Sequence, residues 1–169
     1  MKRAKGARNC ERRSWSLSLL VGRMQRKRSA RKQFASSPAV RRRMQATPRR
    51  DTPAEMRVRR ALHAMGFRYS VDAKPLAHSR RRADIVFRRA RIAVFIDGCF
   101  WHGCPQHGTW PRTNADWWRD KIVGNQKRDL DTDRELAEEG WRVFRFWEHQ
   151  DPLVAARRMA AVLRRLRGY

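Results

Sequence analysis

The segment Ala83-Asp-Ile-Val-Phe-Arg-Arg-Ala-Arg-Ile-Ala-Val-Phe-Ile96 decides the fold. Two apolar runs, Ala83–Phe87 and Ile92–Ile96, flank an arginine-rich stretch, and this pattern predicts two strands joined by a turn. The second run is apolar at every position, which is typical of a central strand buried on both faces. Asp84 interrupts the first run, and a carboxylate buried there is costly without a partner. The segment therefore predicts a sheet that carries a chemically informative aspartate.

The segments on either side add helices and further strands. Thr52-Pro-Ala-Glu55 is typical of a helix start, where Glu55 completes a capping box, and Gly66 is typical of the end of that helix. Periodicity predicts the remaining elements as strands at Phe67–Val71 and Trp141–Trp147 and as helices at about Asn114–Ile122, at Asn125–Glu139 and from Asp151 onward. The last helix is expected to bury a stripe of Leu153, Ala156, Met159, Leu163 and Leu166. This order predicts an α/β fold in which helices flank a mixed central sheet.

Charge points to a polyanionic partner. The 169 residues include 41 Lys and Arg against 16 Asp and Glu, a formal net charge of +25, so nucleic acid is the first partner to consider. Residues 1–50 carry 17 of these basic residues and one acidic residue, which is typical of a basic, disordered arm. The apolar patch Trp15–Val21 in this arm is too short to span a bilayer and lacks the clean cleavage site of a signal peptide. Three cysteines, an odd number, fit a reducing compartment.

The irregular stretch after the second apolar run contains a metal-ligand pattern. Cys99-x4-Cys104-x2-His107 places three ligands of a type that suits tetrahedral zinc within nine residues. His149 can supply the fourth ligand if the strand before it lies beside the second apolar run. A site closed by four protein ligands is structural, not catalytic. The alternative is a chance arrangement of two buried free cysteines and two surface histidines.

Acid–base and carboxylate groups surround this pattern. His102 lies within it and can compete as a ligand or point away and act in proton transfer. Asp84 and Asp97 converge if their strands are antiparallel, and Mg²⁺ held by such carboxylates can neutralise a phosphate and activate water. Simpler explanations are an ion pair between Asp84 and one of Arg80–Arg82, and a turn at Asp97 before Gly98.

Two further carboxylates and several aromatic residues each allow a functional and a structural interpretation. Glu55 can add a third carboxylate to a metal site, although helix capping explains it without function. Asp129 can orient a histidine or be a solvated helix residue. Phe100 and Trp101 lie in an irregular loop beside a basic surface, where aromatic side chains can wedge between base pairs, although most aromatic residues belong to cores. Trp118 follows another tryptophan on a helix, so at least one of the two lies outside the core.

Several motifs in the right order identify a family resemblance. The segment Phe95-Ile-Asp-Gly-Cys-Phe-Trp-His-Gly-Cys-Pro-Gln-His-Gly-Thr-Trp-Pro111 resembles the very-short-patch-repair (Vsr) DNA mismatch endonucleases. The likeness extends over about residues 38–165 through Arg50-Asp-Thr-x2-Glu55, Asn114–Ile122, Asn125-x2-Arg128-Asp129 and Gly140–His149. On this basis we expect a basic extension at residues 1–37 and an endonuclease domain at residues 38–169.

The resemblance implies an enzyme with a fold like that of the PD-(D/E)xK nucleases. Such an enzyme would use Mg²⁺ to nick one DNA strand beside a T:G mismatch, the product of 5-methylcytosine deamination. By motif position, the implied metal-binding groups are Asp84 and the backbone carbonyl of Ile96, the catalytic histidine is His102, and supporting acidic residues are Glu55 and Asp129. The implied intercalating residues are Phe100, Trp101 and Trp118, and the implied structural zinc ligands are Cys99, Cys104, His107 and His149.

This chain also departs from the family pattern. Some members carry Thr-His where this chain has Ile96-Asp97, so Asp97 adds a carboxylate. His149 stands where a cysteine can occur. The implied partners are double-stranded DNA with a T:G mismatch and mismatch-repair proteins, and we expect a monomer in the bacterial cytoplasm without membrane contact. The alternatives are a non-catalytic, zinc-stabilised DNA-binding protein and a PD-(D/E)xK nuclease without mismatch preference.

Overall fold

The computed structural model describes residues 50–166 together with Arg42, Gln45, Ala46 and Pro48. All of these belong to a unit that spans Gln33–Tyr169. The expectations for the basic extension at residues 1–37 lie outside the described residues. Within the described part of the chain, every helix is too short or too polar to cross a membrane.

The elements alternate along the chain as helix, strands, helix, strand and helix. They are α1 Pro53–Ala64, β1 Ser70–Ala73, β2 Ala83–Phe87, β3 Ile92–Asp97, α2 Ala115–Glu138, β4 Arg142–Trp147 and α3 Pro152–Arg165. The strands form one sheet in the order β1-β2-β3-β4, in which β1, β2 and β3 are antiparallel neighbours and β4 is parallel to β3. The expected mixed sheet is therefore confirmed. Because a parallel pair needs a long crossover connection, the loop after β3 and helix α2 lie between its two strands.

The core has a layer on each face of the sheet. One layer packs α1 and α3 against β2 and β3, and its side chains include Leu62, Ile85, Val94, Met159 and Leu163, which are fully buried. The other layer packs α2 against the opposite face through Leu136, Val86 and Ala93. Strand β3 is inaccessible at its first three positions, as expected for a central strand.

The helix starts follow from capping. The Thr52 hydroxyl accepts from the Glu55 N–H at 3.3 Å, which is one half of the predicted capping box, and donates to Glu55 Oε1 at 2.9 Å. The reciprocal backbone bond to the Glu55 carboxylate comes from the Asp51 N–H and not from Thr52. The Asp151 side chain accepts from the Leu153 N–H at 2.8 Å and caps α3. Leu153 itself is 48% exposed, so its predicted place on the buried stripe is wrong. Ala155 and Ala160 are buried instead.

Two other predicted boundaries are wrong. Strand β1 begins at Ser70 and not at Phe67, because the Phe67 N–H donates to the Leu62 carbonyl at 3.1 Å and its ring is buried in the core. Helix α2 is continuous through Gly124, where a break was expected. A glycine inside a helix costs about 1 kcal/mol relative to alanine, which is too little to interrupt a helix with buried anchors on both sides.

Candidate active site and metal centre

A cleft of about 770 Å³ opens between the carboxyl end of β3 and helix α2. It brings together all five residues predicted for acid–base and metal chemistry, which are Glu55, Asp84, Asp97, His102 and Asp129. Phe100 and Trp101 line the same cleft. The cleft therefore combines carboxylates, a histidine and aromatic side chains at one end of the sheet.

Asp84 lies in β2 and points toward the neighbouring strand β3. Its Oδ2 atom accepts a hydrogen bond from the Ile96 N–H at 2.7 Å, which the antiparallel pairing of the two strands makes possible. Burial raises the pKa of Asp84 to about 7, against the lowering effect of this hydrogen bond, and the charges of Glu55 and Asp97 raise it further. A half-buried carboxylate that lines the cleft has the chemistry of a ligand for a hard divalent cation.

The structure contradicts the ion-pair interpretation of Asp84. Arg82 pairs with Asp72 at 2.8 Å, and Arg81 lies 4.0 Å from Glu135. Across residues 50–166, no arginine or lysine side chain forms an ion pair with Asp84. The Asp84 carboxylate is thus left to face the cleft.

Glu55 is almost fully buried and is held by several donors. Besides its bond with Thr52, its Oε2 atom accepts from Arg59 Nη2 at 2.7 Å and from the Asp51 N–H at 3.0 Å. Both carboxylate oxygens are therefore engaged by protein groups. Glu55 closes the helix start and lines the cleft at once, so the capping and site interpretations are compatible.

His102 and Asp129 form a pair across the cleft. Nδ1 of His102 lies 2.6 Å from Oδ2 of Asp129. Burial lowers the pKa of His102, but the hydrogen bond to Asp129 and the charges of Asp97 and Asp129 outweigh it, so the pKa lies above its ordinary value. Burial acts to raise the pKa of Asp129, and the bond to His102 reverses that effect. The pair leaves Nε2 as the ring nitrogen of His102 that remains for chemistry in the cleft.

Asp97 is held by an arginine that the sequence did not single out. Arg145 Nη1 donates to both carboxylate oxygens of Asp97, at 2.8 and 3.0 Å. The Arg145 Nε atom donates to Asp133 at 3.0 Å. Burial lowers the pKa of Arg145, but the surrounding carboxylates outweigh this effect, so its pKa is raised. Asp97 is the last residue of β3, and its interpretation as a simple turn residue is wrong because its side chain is buried in this ion pair.

The alternation of β4 could have revealed Arg145. In this strand, Phe144 and Phe146 belong to the layer of α1 and α3, so Arg145 lies on the opposite face, toward α2. In the parallel register Arg145 is the partner of Phe95, two residues before Asp97. Asp133 gives no comparable signal, because it is one of several aspartates in a polar helix, where such residues are usually solvated.

Helix α2 holds the loop after β3 in place. Asn125 Nδ2 donates to the Trp101 carbonyl at 2.7 Å, and Gln126 Nε2 donates to the His102 carbonyl at 3.0 Å. Gly103 has φ +65°, and a Cβ atom there would lie 2.7 Å from Gln126 Nε2 and 2.8 Å from Ile122 Cγ2. The loop approaches the helix so closely that only glycine fits at this position.

The predicted aromatic residues form a cluster above the cleft. Phe100 and Trp101 are half-buried, with their ring centroids 5.1 Å apart. Trp118 lies beneath them, 5.1 Å from the Phe100 ring and 6.1 Å from Trp101, and is 4% exposed. The accessible members of the predicted wedge are thus Phe100 and Trp101.

The four predicted zinc ligands converge on one point and form what is here named the sulfur–nitrogen cluster, Cys99, Cys104, His107 and His149. Their donor atoms all lie within 4.8 Å of one another. The His149 Nδ1 atom is 3.1 Å from Cys99 Sγ and 3.8 Å from Cys104 Sγ. Both cysteines are free and buried. Two sulfur and two nitrogen donors at such separations fit the tetrahedral coordination of zinc.

Strand register explains this convergence. Asp97 is opposite Trp147 in the parallel β3–β4 pair, so Cys99 and His149 each follow two residues later at the same edge. Glu148 joins this edge to the cleft, because its Oε1 accepts from the Cys99 N–H at 2.6 Å and its own N–H donates to the Asp97 carbonyl at 2.9 Å. Sequence reasoning missed Glu148.

The thiols of the cluster differ in their surroundings. Burial raises the pKa of Cys99 to about 11. For Cys104, burial is outweighed by hydrogen bonds from the backbone N–H groups of His107 and Gln106, and its pKa is lowered. Cys104 is therefore the more readily ionised thiol.

Comparison with known proteins gives a consistent result. Residues 35–107 match the family model described as DNA mismatch endonuclease Vsr. The type II nicking enzyme V.NaeI of Lentzea aerocolonigenes is 44% identical over 112 residues, which cover 65% of this chain and 68% of that protein. The type II nicking enzyme V.XorIIP of Xanthomonas oryzae pv. oryzae is 40% identical over 107 residues, or 62% of this chain and 76% of that protein. The DNA mismatch endonuclease Vsr of Escherichia coli K12 is 35% identical over 109 residues, or 62% of this chain and 66% of that protein.

Proposed function

The chain belongs to the Vsr family of DNA mismatch endonucleases, and from this premise we propose that it nicks one strand of duplex DNA beside a T:G mispair. It is accordingly a DNA endonuclease. The observation that carries the finer proposal is the cleft, where Asp84 and the His102–Asp129 pair lie beside Phe100 and Trp101. A hydrolytic centre next to half-buried, accessible aromatic side chains suits an enzyme that must open the base stack before it cuts.

A divalent cation fits the oxygen donors at the floor of the cleft. The carboxylate of Asp84 and the backbone carbonyl of Ile96 would hold Mg²⁺, and Asp84 is half-buried and forms no ion pair among residues 50–166. The ion would neutralise charge on the scissile phosphate and lower the pKa of a bound water. Glu55 supports this region by holding Arg59, whose Nη2 atom also donates to the Asp84 carbonyl at 3.5 Å.

His102 is proposed to take part in proton transfer at the scissile phosphate. Its Nδ1 atom is held by Asp129 at 2.6 Å, which orients the ring and directs Nε2 to the reaction. Burial lowers the pKa of His102, but the pairing with Asp129 and the charge of Asp97 outweigh it, so the pKa is raised. A raised pKa favours the protonated ring, which is the form that donates a proton. Asp129 is thus proposed as a supporting residue.

The sulfur–nitrogen cluster is proposed as a structural zinc site. Its donor set fits zinc, and all four coordination positions would be filled by protein. The metal would tie the loop that carries Phe100, Trp101 and His102 to the end of β4. This tie positions the loop without taking part in hydrolysis.

Phe100 and Trp101 are proposed to wedge into the DNA beside the mispair, with Trp118 as their support. A side chain inserted between base steps costs a few kcal/mol of unstacking, and this cost is least at a mispair. Trp118 is packed under both rings, and we propose that it joins the stack only if the wedge moves.

The basic extension, residues 1–37, is proposed to add affinity without selectivity. Phosphate contacts by lysine and arginine are independent of sequence and weaken with salt. Deleting residues 1–37 from the proposed domain at 38–169 should weaken DNA binding and flatten its salt dependence while the preference for T:G is retained. We further propose that the enzyme acts as a monomer in the cytoplasm.

A nicking assay on a panel of duplexes tests the proposed function. The full chain is incubated with T:G, T:A and C:G duplexes and with the other mispairs, in Mg²⁺ or in EDTA. We expect one strand of the T:G duplex to be cut, only in Mg²⁺, and we expect Phe100→Ala and Trp101→Ala to reduce the preference for T:G by about tenfold or more, given the stacking energy of an aromatic side chain.

Other results would favour the alternatives. Equal cutting of paired and mispaired duplexes would indicate a nuclease without mismatch preference. Binding to T:G DNA without any cut would indicate a DNA-binding protein. Retention of full nicking after Phe100→Ala and Trp101→Ala together would remove the wedge from the proposal.

A further inference from the structure

Three carboxylates meet under the cleft, and they are named the carboxylate cluster, Asp97, Asp129 and Asp133. They come from different elements, Asp97 from the end of β3 and the other two from α2. Asp97, His102 and Asp129 also form a group whose donor atoms are close enough to hold a metal ion. The question is therefore which cation this cluster holds.

Arg145 already contacts every member of the carboxylate cluster. Its distances are 2.8 Å to Asp97, 3.0 Å to Asp133 and 3.4 Å to Asp129. Its side chain is 21% exposed, and the guanidinium lies 4.5 Å from the centroid of the Phe95 ring. A planar guanidinium with its donors directed at three carboxylates leaves little room for a second cation at the same point.

The same contacts connect Arg145 to His102. Arg145 Nη2 faces Oδ1 of Asp129, and the other oxygen of that carboxylate holds His102 Nδ1. His102 Nδ1 is 3.6 Å from Asp97 Oδ1, which is too long for a hydrogen bond, so Asp129 is its partner. Asp129 is thus in ion-pair contact with Arg145 through one oxygen and hydrogen-bonded to the ring of His102 through the other.

We propose that the guanidinium of Arg145, and not a metal ion, is the cation of the carboxylate cluster, and that Arg145 is a positioning residue for His102. It acts through Asp129 and has no contact with the proposed Mg²⁺ ligands. The part of this inference that concerns nicking rests on the proposed function. The part that concerns the cation and the ring of His102 does not.

Manganese binding to the full chain, measured by electron paramagnetic resonance, tests the cation. We expect Asp133→Asn to leave the number of bound Mn²⁺ ions unchanged, because Arg145 satisfies the cluster. We expect Arg145→Met to gain one Mn²⁺ per chain and the double variant with Asp133→Asn to lose that gain. Loss of one bound Mn²⁺ in Asp133→Asn alone would overturn the proposal, and that variant does not depend on the folding of Arg145→Met.

The ring nitrogen resonances of His102 in ¹⁵N NMR spectra test the positioning role. In the wild type, we expect the two ring nitrogens to show a single protonation pattern in which Nδ1 is hydrogen-bonded. In Arg145→Met, we expect the resonances of both nitrogens to shift toward the average of the two protonation patterns. Unchanged His102 resonances in Arg145→Met would overturn the positioning role. Arg134→Met, which removes an exposed arginine that pairs with Asp131 on the same helix, is the matched control and should shift neither nitrogen.

Kinetics supply the third readout. Arg145→Met should lower kcat for nicking on the order of 10²-fold, the usual contribution of a positioned proton donor, with KM for the duplex nearly unchanged. Arg145→Lys should recover part of kcat, because it keeps the charge but not the fork. A rise in KM without loss of kcat would overturn the positioning role. If the wild type nicks no T:G duplex, the proposed function fails while the Mn²⁺ and NMR results still decide this inference.

Discussion

The sulfur–nitrogen cluster and the carboxylate cluster both take residues from one short segment, Asp97–His107, yet among the described residues only the carboxylate cluster contains a cation of its own. Arg145 contacts all three carboxylates of one cluster. In the sulfur–nitrogen cluster, the thiols and imidazoles face one another. Among the residues that the structure describes, no lysine or arginine forms an ion pair with a member of this cluster. The protein therefore places a cation of its own among the three carboxylates, whereas the sulfur–nitrogen cluster presents four donor atoms suited to zinc.

This difference separates a cluster that can hold the loop in place from a region that can carry out the reaction. The sulfur–nitrogen cluster can fix the loop but has no open position for a substrate. Next to the carboxylate cluster, Asp84 is half-buried, forms no ion pair within residues 50–166 and faces an open cleft. We therefore expect changes near Asp84 to act on the reaction and changes in the sulfur–nitrogen cluster to act mainly on the fold.

The largest effect is expected at Asp84. Asp84→Asn should lower nicking of a T:G duplex by about 10³-fold, since the ligand of an ion worth several kcal/mol in the transition state is lost. Stability should not fall with activity. Because the amide oxygen can accept from the Ile96 N–H and no charge is buried, the Tm in EDTA should rise by a few °C.

Asp131→Asn is the control for this change, since it also removes one carboxylate but at an exposed position on α2. It should alter neither nicking nor Tm measurably. Normal nicking by a folded Asp84→Asn protein would remove Asp84 from the site and end the contrast between the two clusters. A fall in Tm would instead show that the Asp84 carboxylate has a structural role.

The next largest effect is expected in the sulfur–nitrogen cluster. His149→Ala should reduce bound zinc, measured by elemental analysis, from about one ion per chain to nearly none, because one of four ligands is lost. The Tm should fall by roughly 5–15 °C as the loop loses its attachment to β4. Nicking should fall only as far as the loop is displaced.

His78→Ala is the matched control, because His78 is an exposed histidine outside the cluster. It should retain zinc and Tm. If His149→Ala retained a full equivalent of zinc, the ligand set would be wrong. If it lost zinc but kept its Tm, the structural role assigned to the cluster would fail.

The two clusters were not equally predictable from sequence. Three zinc-type ligands lie within nine residues, so spacing alone indicated a site, and His149 followed once its strand was placed beside β3. Arg145 was not recognised, since its partners lie 12 to 48 positions away along the chain. The alternation of β4 indicates the face on which Arg145 lies, but its partners depend on the parallel β3–β4 register, which is not encoded locally.

The secondary structure was also predictable from sequence only in part. Strands β2 and β3 were predicted at their observed positions, apart from the final residue of β3, because their apolar runs are continuous. The start of β1 was misplaced because the capping interaction of Phe67 with α1 competes with its strand pattern. The break expected at Gly124 did not occur, since packing of α2 against the sheet outweighs a local preference.

The smallest effect is expected where the two clusters join, at Gly103. A Cβ atom there would meet Gln126 and Ile122 at under 3 Å, and φ is +65°, so Gly103→Ala should destabilise the fold by about 1–3 kcal/mol, measured by urea unfolding. Gly124→Ala is the matched control, because no atom lies within 4 Å of its Cβ position inside α2. It should stabilise the fold by about 0.5–1 kcal/mol. Since the loop must shift away from α2 in Gly103→Ala, the hydrogen bond from Gln126 to His102 should break and nicking should fall while zinc is retained. Loss of zinc and nicking together would show that the segment moves as one body, and the separation of the two clusters would then be wrong.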